Sequence, residues 1–433
     1  MFNSHLSSRP RPLWLAALSI AVGVMTASVG QAGQSPPSVK IDLDQAIQLA
    51  LAHNHALRAA RTQIEQSRAA EITAAIRPNP LLVVDYLPGI PLSPSQFTSD
   101  NLNLISEFDA GATFTFERGH KRQARISAAR DQTAVTQSLV SDNERTLTFN
   151  AAQQFVNVLL AKSTLDFAKQ DLDSFQNTVG ISESQYQAGA ISEGDLLKIK
   201  LQLLTFQTDV SSAELALVQA RAGLRQFLGY DAVPEDYDVV GDLAYTPLHV
   251  NQQDLELMAI QHRPDLAEAK QGITAADSQY SLARANGKRD LFTSFLYSHT
   301  SGISTLSLSA NIEIPIWDRN QGEIARTRYA MDQAQESERA AEDTVMTDVR
   351  NAYEGLHTAD QVAGLYQSGY LKQAQDSRDI SEYAYKRGAA SLLDFLDAER
   401  SYRATQLAYR QALANYMLAV EQVREAVGVR NLP

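Results

Sequence analysis

Apolar residues recur along two stretches of the chain at alternating spacings of three and four. One stripe runs through Leu196, Ile199, Leu203, Phe206, Val210, Ala213, Leu217, Ala220, Leu224 and Phe227. An offset of 199 residues gives Phe395, Ala398, Tyr402, Thr405, Tyr409, Ala412, Tyr416, Ala419, Val423 and Ala426. Such a stripe, held over more than four heptads, predicts helices packed side by side. A proline-free run precedes each: Gly119 to Tyr186, with Leu165, Leu172, Val179 and Tyr186 seven apart, and Asn320 to Tyr385. Each run predicts one unbroken helix of about 70 residues, on the order of 100 Å long. That length suits a rod or tube rather than a globular domain.

Ahead of each long helix the period changes to two. In TLSLSANIEIPIW, Leu306, Leu308, Ala310, Ile312, Ile314 and Ile316 alternate with Thr305, Ser307, Ser309, Asn311 and Glu313. This strand, about 305–316, matches the roughly 9–11 residues with which a tilted strand crosses a bilayer. Trp317 at its end fits an interfacial anchor. A second strand at about 290–299 precedes it across Thr300-Ser301-Gly302, and the first half offers counterparts at about 80–88 and 110–117, joined by a Pro/Ser-rich loop. Four strands cannot close a membrane barrel, and an open edge in lipid is forbidden. Strands of several chains would have to share one barrel.

Each half carries one copy of a motif, Tyr-x-x-Gly-x-x-Ser-x-x-Asp, beginning at Tyr186 and at Tyr385. Gly189 and Gly388 suit the left-handed residue that closes a helix. Ser192 and Ser391 suit the N-cap of the next, with Asp195 and Asp394 three residues on. Each motif is therefore the turn of a helical hairpin, at 187–192 and 386–391. The organisation expected is a signal peptide at 1–32, a first repeat at 33–228, an acidic connector at 229–253 and a second repeat at 254–433.

Composition narrows the function. Arg9 and Arg11, the apolar run Leu13 to Val24 and Gly30-Gln31-Ala32 form a secretory leader too short to span a membrane. The chain has no cysteine, which excludes disulfides and lipid attachment through an N-terminal Cys. A formal charge of −12 argues against nucleic acid as a partner. Of the eight histidines, His53 and His55 point about 200° apart on a helix and the others are isolated, so no metal site is expected. No catalytic dyad, nucleophile elbow or cofactor-cradling loop stands out, so the chain is expected to be neither an enzyme nor a cofactor carrier. The basic cluster RGHKRQAR at Arg118, beginning a helix below a strand, fits lipid headgroups better than nucleic acid.

The doubled turn, QHRPDLAEAKQGI from Gln261, RPNP at Arg77 and PIWDRNQGEIA from Pro315 resemble the TolC-like outer-membrane efflux proteins over essentially the whole mature chain. The last two strings look most like the cobalt–zinc–cadmium branch. The resemblance implies a mixed α and β membrane protein: a homotrimer with a 12-stranded outer-membrane β-barrel continuous with a periplasmic α-helical barrel. It implies a gated, passive duct for heavy-metal cations, docked through its tips (Gly189, Ala190, Ser192, Gly388, Ala389 and Ser391) to a periplasmic adaptor. An inner-membrane, proton-driven pump of the RND type would supply the energy. Asp394 and Asp397 match an aspartate pair lining the closed aperture, and Tyr385 with Asp195 matches a link holding the tip shut. Ala390 replaces an arginine that some relatives use as a further lock. Leu306, Leu308, Ile312, Ile314 and Trp317 would face outer-membrane lipid. For Asp394 and Asp397, plain helix capping stays open beside the pore-lining role. A drug, solvent or polypeptide duct would look alike, and a periplasmic coiled-coil protein without a membrane part is the alternative of another class.

Overall fold

The computed structural model describes residues 39–87 and 90–432; the leader expected at 1–32 lies outside the described residues. A similar, though not identical, order of elements occurs in the two halves. The first half comprises β1 (Lys40–Ile41), α1 (Leu43–His53), α2 (His55–Ala75), β2 (Leu81–Leu87), α3 (Ser99–Ile105), β3 (Glu107–Phe116), α4 (Lys121–Gln187) and α5 (Glu193–Leu228). The second comprises β4 (Asp238–Val239), α6 (Gln252–His262), α7 (Pro264–Asn286), β5 (Leu291–Thr300), β6 (Ile303–Ile312), α8 (Gln321–Leu365), α9 (Leu371–Lys386) and α10 (Leu392–Val427).

Each half opens on two helices. Asn54 is extended, and its side chain accepts from the Leu57 amide at 3.1 Å to start α2. Arg263 is extended because Pro264 follows it, and the proline, lacking an N–H, sits where α7 needs none. In the connector, β4 pairs in parallel with β1 and joins the two ends of the first half.

Helix α4 runs for 67 residues, as its proline-free sequence predicts. Its counterpart does not. A five-residue π turn, Tyr366–Tyr370, separates α8 from α9, with Gly369 at φ 126. Absence of proline was not sufficient: a glycine takes a backbone conformation there that other residues reach only under strain. Both stripes of three-and-four spacing are buried or half-buried throughout α5 and α10. Phe155, Leu159, Leu224, Leu228 and Tyr237 centre one core, and Leu255, Leu266, Val349, Tyr416 and Val423 a second. Each such large side chain contributes roughly 1.5–3 kcal/mol on burial.

The long strands form one antiparallel sheet in the order β2-β3-β5-β6. Leu82 faces Ala112, which faces Phe295, which faces Leu308. The face they share also carries Val84, Phe114, Phe116, Tyr297, Leu306 and Ile312, and its outer strands are fully exposed, Leu82 at 75% and Leu308 at 79%. The other face carries Asp85, Asp109, Thr113, Ser294, Ser298, Thr305 and Ser307. Strands β5 and β6 turn through Ser301 and Gly302, both at positive φ (53° and 78°), the backbone of a tight two-residue hairpin. Strand β3 begins at Glu107, earlier than the alternation suggested. Small residues mask its pattern there, and Gly111 is required because a Cβ would collide with the Phe295 carbonyl.

Strand β6 is shorter than expected. It ends at Ile312, opposite Leu291, the first residue of β5, so Ile314, Ile316 and Trp317 run past the sheet. Partner length and Pro315, which cannot donate to a ladder, end it together. The same register puts Leu306 and Leu308 mid-strand and Ile312 at the helical end.

Candidate gate at the paired helix turns

Two turns that lie 199 residues apart in sequence come together at the far end of the helices. Helix α4 closes through Gly189 at φ 71, and the Ala190 amide donates back to the Gln185 carbonyl at 2.8 Å. Helix α9 closes through Gly388 at φ 72, and the Ala389 amide donates to the Ala384 carbonyl at 2.8 Å. Only glycine takes that φ without strain. Ser192 and Ser391 then cap α5 and α10, their hydroxyls accepting from the Asp195 and Asp394 amides at 3.1 and 3.2 Å. Gly189, Ala190, Ser192, Asp195, Tyr385, Gly388 and Ser391 all line one open hollow of about 1100 Å³.

Of the carboxylates expected at the gate, Asp195 lines this hollow and Asp394 and Asp397 do not, and each of the three is engaged on its own helix. The Ser192 hydroxyl donates to Asp195 at 2.9 Å and Lys198 pairs with it at 3.3 Å; both hold its carboxyl below the usual range. Asp394 closes a capping box by accepting from the Ser391 amide at 3.2 Å. Asp397 is exposed, with Arg400 3.5 Å away. Both Asp394 and Asp397 face solvent on either side of buried Phe395.

The expected link between Tyr385 and Asp195 is absent among the described residues. The Tyr385 ring is buried flat against Phe395, centroids 5.4 Å apart and planes 9° apart, and its hydroxyl lies 3.5 Å from that of Ser182. Stacking fixes where the hydroxyl points, and Asp195 is already spent on its own helix start. The hairpins are tied instead by Gln185 Nε2 donating to the Lys386 carbonyl and by the Thr178 hydroxyl donating to Glu382, each at 3.0 Å.

A charged layer that the sequence analysis passed over lies about 12 Å along α10 from Ser391, eight residues at the helical rise. Glu399 and Asp171 are each only 5% exposed. Arg403 pairs with Asp171 at 2.6 Å and Asp209 at 2.5 Å, its guanidinium 4.1 Å over the Phe206 ring. Arg378 stacks over Tyr402 at 4.5 Å and pairs with Asp379 at 2.9 Å. Burial, reinforced by Asp171, pushes the Glu399 carboxyl up to about 7. Burial also raises Asp171, against the pull of Arg403. Two carboxyls in one dry site do not both ionise readily; Asp171, paired to Arg403, keeps the charge and Glu399 takes the proton. A signal existed: Asp171 directly precedes the seam residue Leu172, and Glu399 directly follows Ala398.

Among the described residues no three His, Cys, Asp or Glu stand together as a metal site. The outer membrane efflux protein family matches residues 46–230 and 257–429. The chain is 28% identical over 417 residues to the cation efflux system protein CusC of Escherichia coli K12, covering 86% of this chain and 83% of that one. It is 22% identical over 390 residues to the cobalt-zinc-cadmium resistance protein CzcC of Cupriavidus metallidurans, covering 90% of each. A crystal structure of CusC shares its fold at a TM-score of 0.75, with 22% identity over 93% of this chain and 96% of that one. The order of elements, the open sheet and the joined turns thus belong to a chain that is a member of the outer membrane efflux protein family, an export channel of the outer membrane and not an enzyme.

Proposed function

We propose that three copies of the chain join their sheets into one 12-stranded barrel in the outer membrane. Their hairpins continue it as a helical tube across the periplasm, and the assembly is a passive, gated duct for heavy-metal cations. The observation that carries this is the open sheet: four strands, apolar over most of one face, with β2 and β6 unpaired at its edges. Lipid tolerates neither an open edge nor a half-formed barrel, so further copies must complete it, and family membership favours three. No helix among the described residues is long and apolar enough to cross a membrane. A second exposed apolar surface supports the same assembly. Leu197, Leu201, Leu204, Leu215 and Val218 form a stripe on α5, each more than half exposed, away from the buried seam.

At the tip, three copies of Asp394 and Asp397 would ring the narrowest point, favouring cations and repelling anions. The turn residues Gly189, Ala190, Ser192, Gly388, Ala389 and Ser391 offer the surface for a periplasmic adaptor, through which an inner-membrane, proton-driven pump drives export. The cation and cobalt–zinc–cadmium relatives support metal as the cargo, and the Ser/Thr-rich polar face of the sheet suits a hydrated ion.

Cell fractionation and unboiled electrophoresis in mild detergent test the assembly. A heat-modifiable trimer in the outer membrane is expected; a soluble periplasmic monomer would end the duct reading. Growth of a deletion strain on graded cobalt, zinc, cadmium, copper and silver tests the cargo. Unchanged tolerance to all of them would remove the metal assignment and leave the channel.

A further inference from the structure

At the helical end of the sheet, a hollow of about 740 Å³ opens between the C-terminus of α7, the segment after β6 and the start of α8. Five cations line it, Arg118, Arg284, Lys288, Arg289 and Arg319, against one carboxylate, Glu313, in a chain whose formal charge is −12. Arg289 is already neutralised by Glu313 at 3.4 Å and Asp318 at 3.5 Å. The Arg284 guanidinium rests 5.8 Å over the Tyr280 ring. Among the described residues, no carboxylate pairs with Arg118, Arg284, Lys288 or Arg319, and all four are exposed.

The hollow also has an orientation. Arg118 lies two residues beyond Phe116 and Arg289 two before Leu291, so both continue the parity of the apolar face, and Ile312 of that face lines the hollow. Directly after β6, Ile314 and Trp317 stand 78% and 85% exposed. An exposed indole two residues from Arg319, with four cations that lack carboxylate partners at the rim of an apolar band, is the side-chain order of a lipid–water interface. A free anion would satisfy the charges and leave the apolar rim uncovered. A lipid with a net negative headgroup satisfies both, its phosphate among the cations and its acyl chains along Ile312 and the sheet.

The geometry points to a headgroup site for an anionic phospholipid of the periplasmic leaflet in this hollow. The site rests on the membrane reading of the sheet, whose failure shows separately as absence of the protein from the outer-membrane fraction. The test uses the full-length assembly in mild detergent, with bound lipid counted by native mass spectrometry. Phosphatidylglycerol is compared with phosphatidylethanolamine, and inorganic phosphate is offered as a competitor. Phosphatidylglycerol should be retained selectively and resist phosphate. Arg284→Gln with Lys288→Gln should weaken that retention at least about 10-fold, as removal of two interfacial cations predicts. Arg284→Lys, which keeps the charge, should retain it. Assembly on unboiled gels and helical circular dichroism confirm that each variant is folded. The proposal is overturned by equal retention of both lipids, by full displacement with phosphate, or by a folded Arg284→Gln/Lys288→Gln protein that holds phosphatidylglycerol as the native chain does.

Discussion

Glu399 binds its proton far above the ordinary carboxylate range because it is buried beside Asp171, whose own charge Arg403 neutralises. Its carboxyl rises from an ordinary 4.5 to about 7 on folding. A group with a raised folded value stabilises fully below its unfolded value and loses that contribution as pH climbs through the folded one. At 1.36 kcal/mol per unit, the loss between about pH 4.5 and pH 7 is about 3 kcal/mol per chain. Glu399→Gln keeps a donor to Asp171 without a charge, so its melting temperature should stay flat from pH 5 to 8 while that of the native protein falls. Parallel melting curves would show that Glu399 is ionised throughout. At the tip, Asp394→Asn with Asp397→Asn preserves helix starts that alanine would weaken. If the carboxylates line the aperture, single-channel recordings should show weaker block by divalent cations; unchanged block would leave Asp394 as a cap alone. The capping residues were legible because Gly189, Ser192, Gly388 and Ser391 obey local backbone physics. The partner of Tyr385 was not, because stacking on Phe395, nearby in sequence but placed by a turn, decides where its hydroxyl points.

Among elements, the strands and hairpins follow from period and punctuation, while their ends depend on neighbours. The alternation in β6 continues past Ile312, but the ladder stops where β5 begins, a fact held 21 residues upstream at Leu291. Depth follows from this register. Leu308→Lys, mid-strand on the apolar face, should cost roughly 2–4 kcal/mol per chain, and Ile312→Lys, at the helical end, roughly 0–1. Yields of folded protein after refolding into vesicles should separate the two variants, and equal yields would place this face outside the bilayer. Breaks in helices are harder to anticipate than their starts. Gly369 opens a π turn in one half, where α4 continues unbroken in the other with no proline to distinguish them. The turn glycines are less forgiving. Gly388→Val forces a branched residue to φ 72, so the α9–α10 turn must rearrange. Efflux should be lost while the heat-modifiable assembly persists, since the sheet proposed to form the barrel lies at the opposite end of the helices. Retained efflux would mean that adaptor docking does not use this turn.

For the molecule as a whole, two apolar or edge surfaces are left uncovered, and in the proposed assembly further copies of the chain would cover both. The sheet lacks neighbours at β2 and β6, and α5 shows the stripe of Leu197, Leu201, Leu204, Leu215 and Val218 to solvent. Periodicity alone exposed only the buried seam. The second stripe has meaning once the seam is assigned to α4 and α10 and the remaining leucines are seen to face outward. Strand pairing could close a barrel without the stripe, and helix packing could join tubes without the sheet, so the two contributions separate by mutation. Leu201→Glu with Leu215→Glu places charge on the stripe without touching the seam, the sheet or the turns. Burying each leucine between copies should contribute roughly 1.5–3 kcal/mol, lost here together with the cost of burying carboxylates. The variant should run as a monomer on unboiled gels, with the helical circular dichroism of the native chain. A trimer of native stability would show that α5 meets water or another partner in the assembled tube, and would leave barrel closure to hold the copies together unaided.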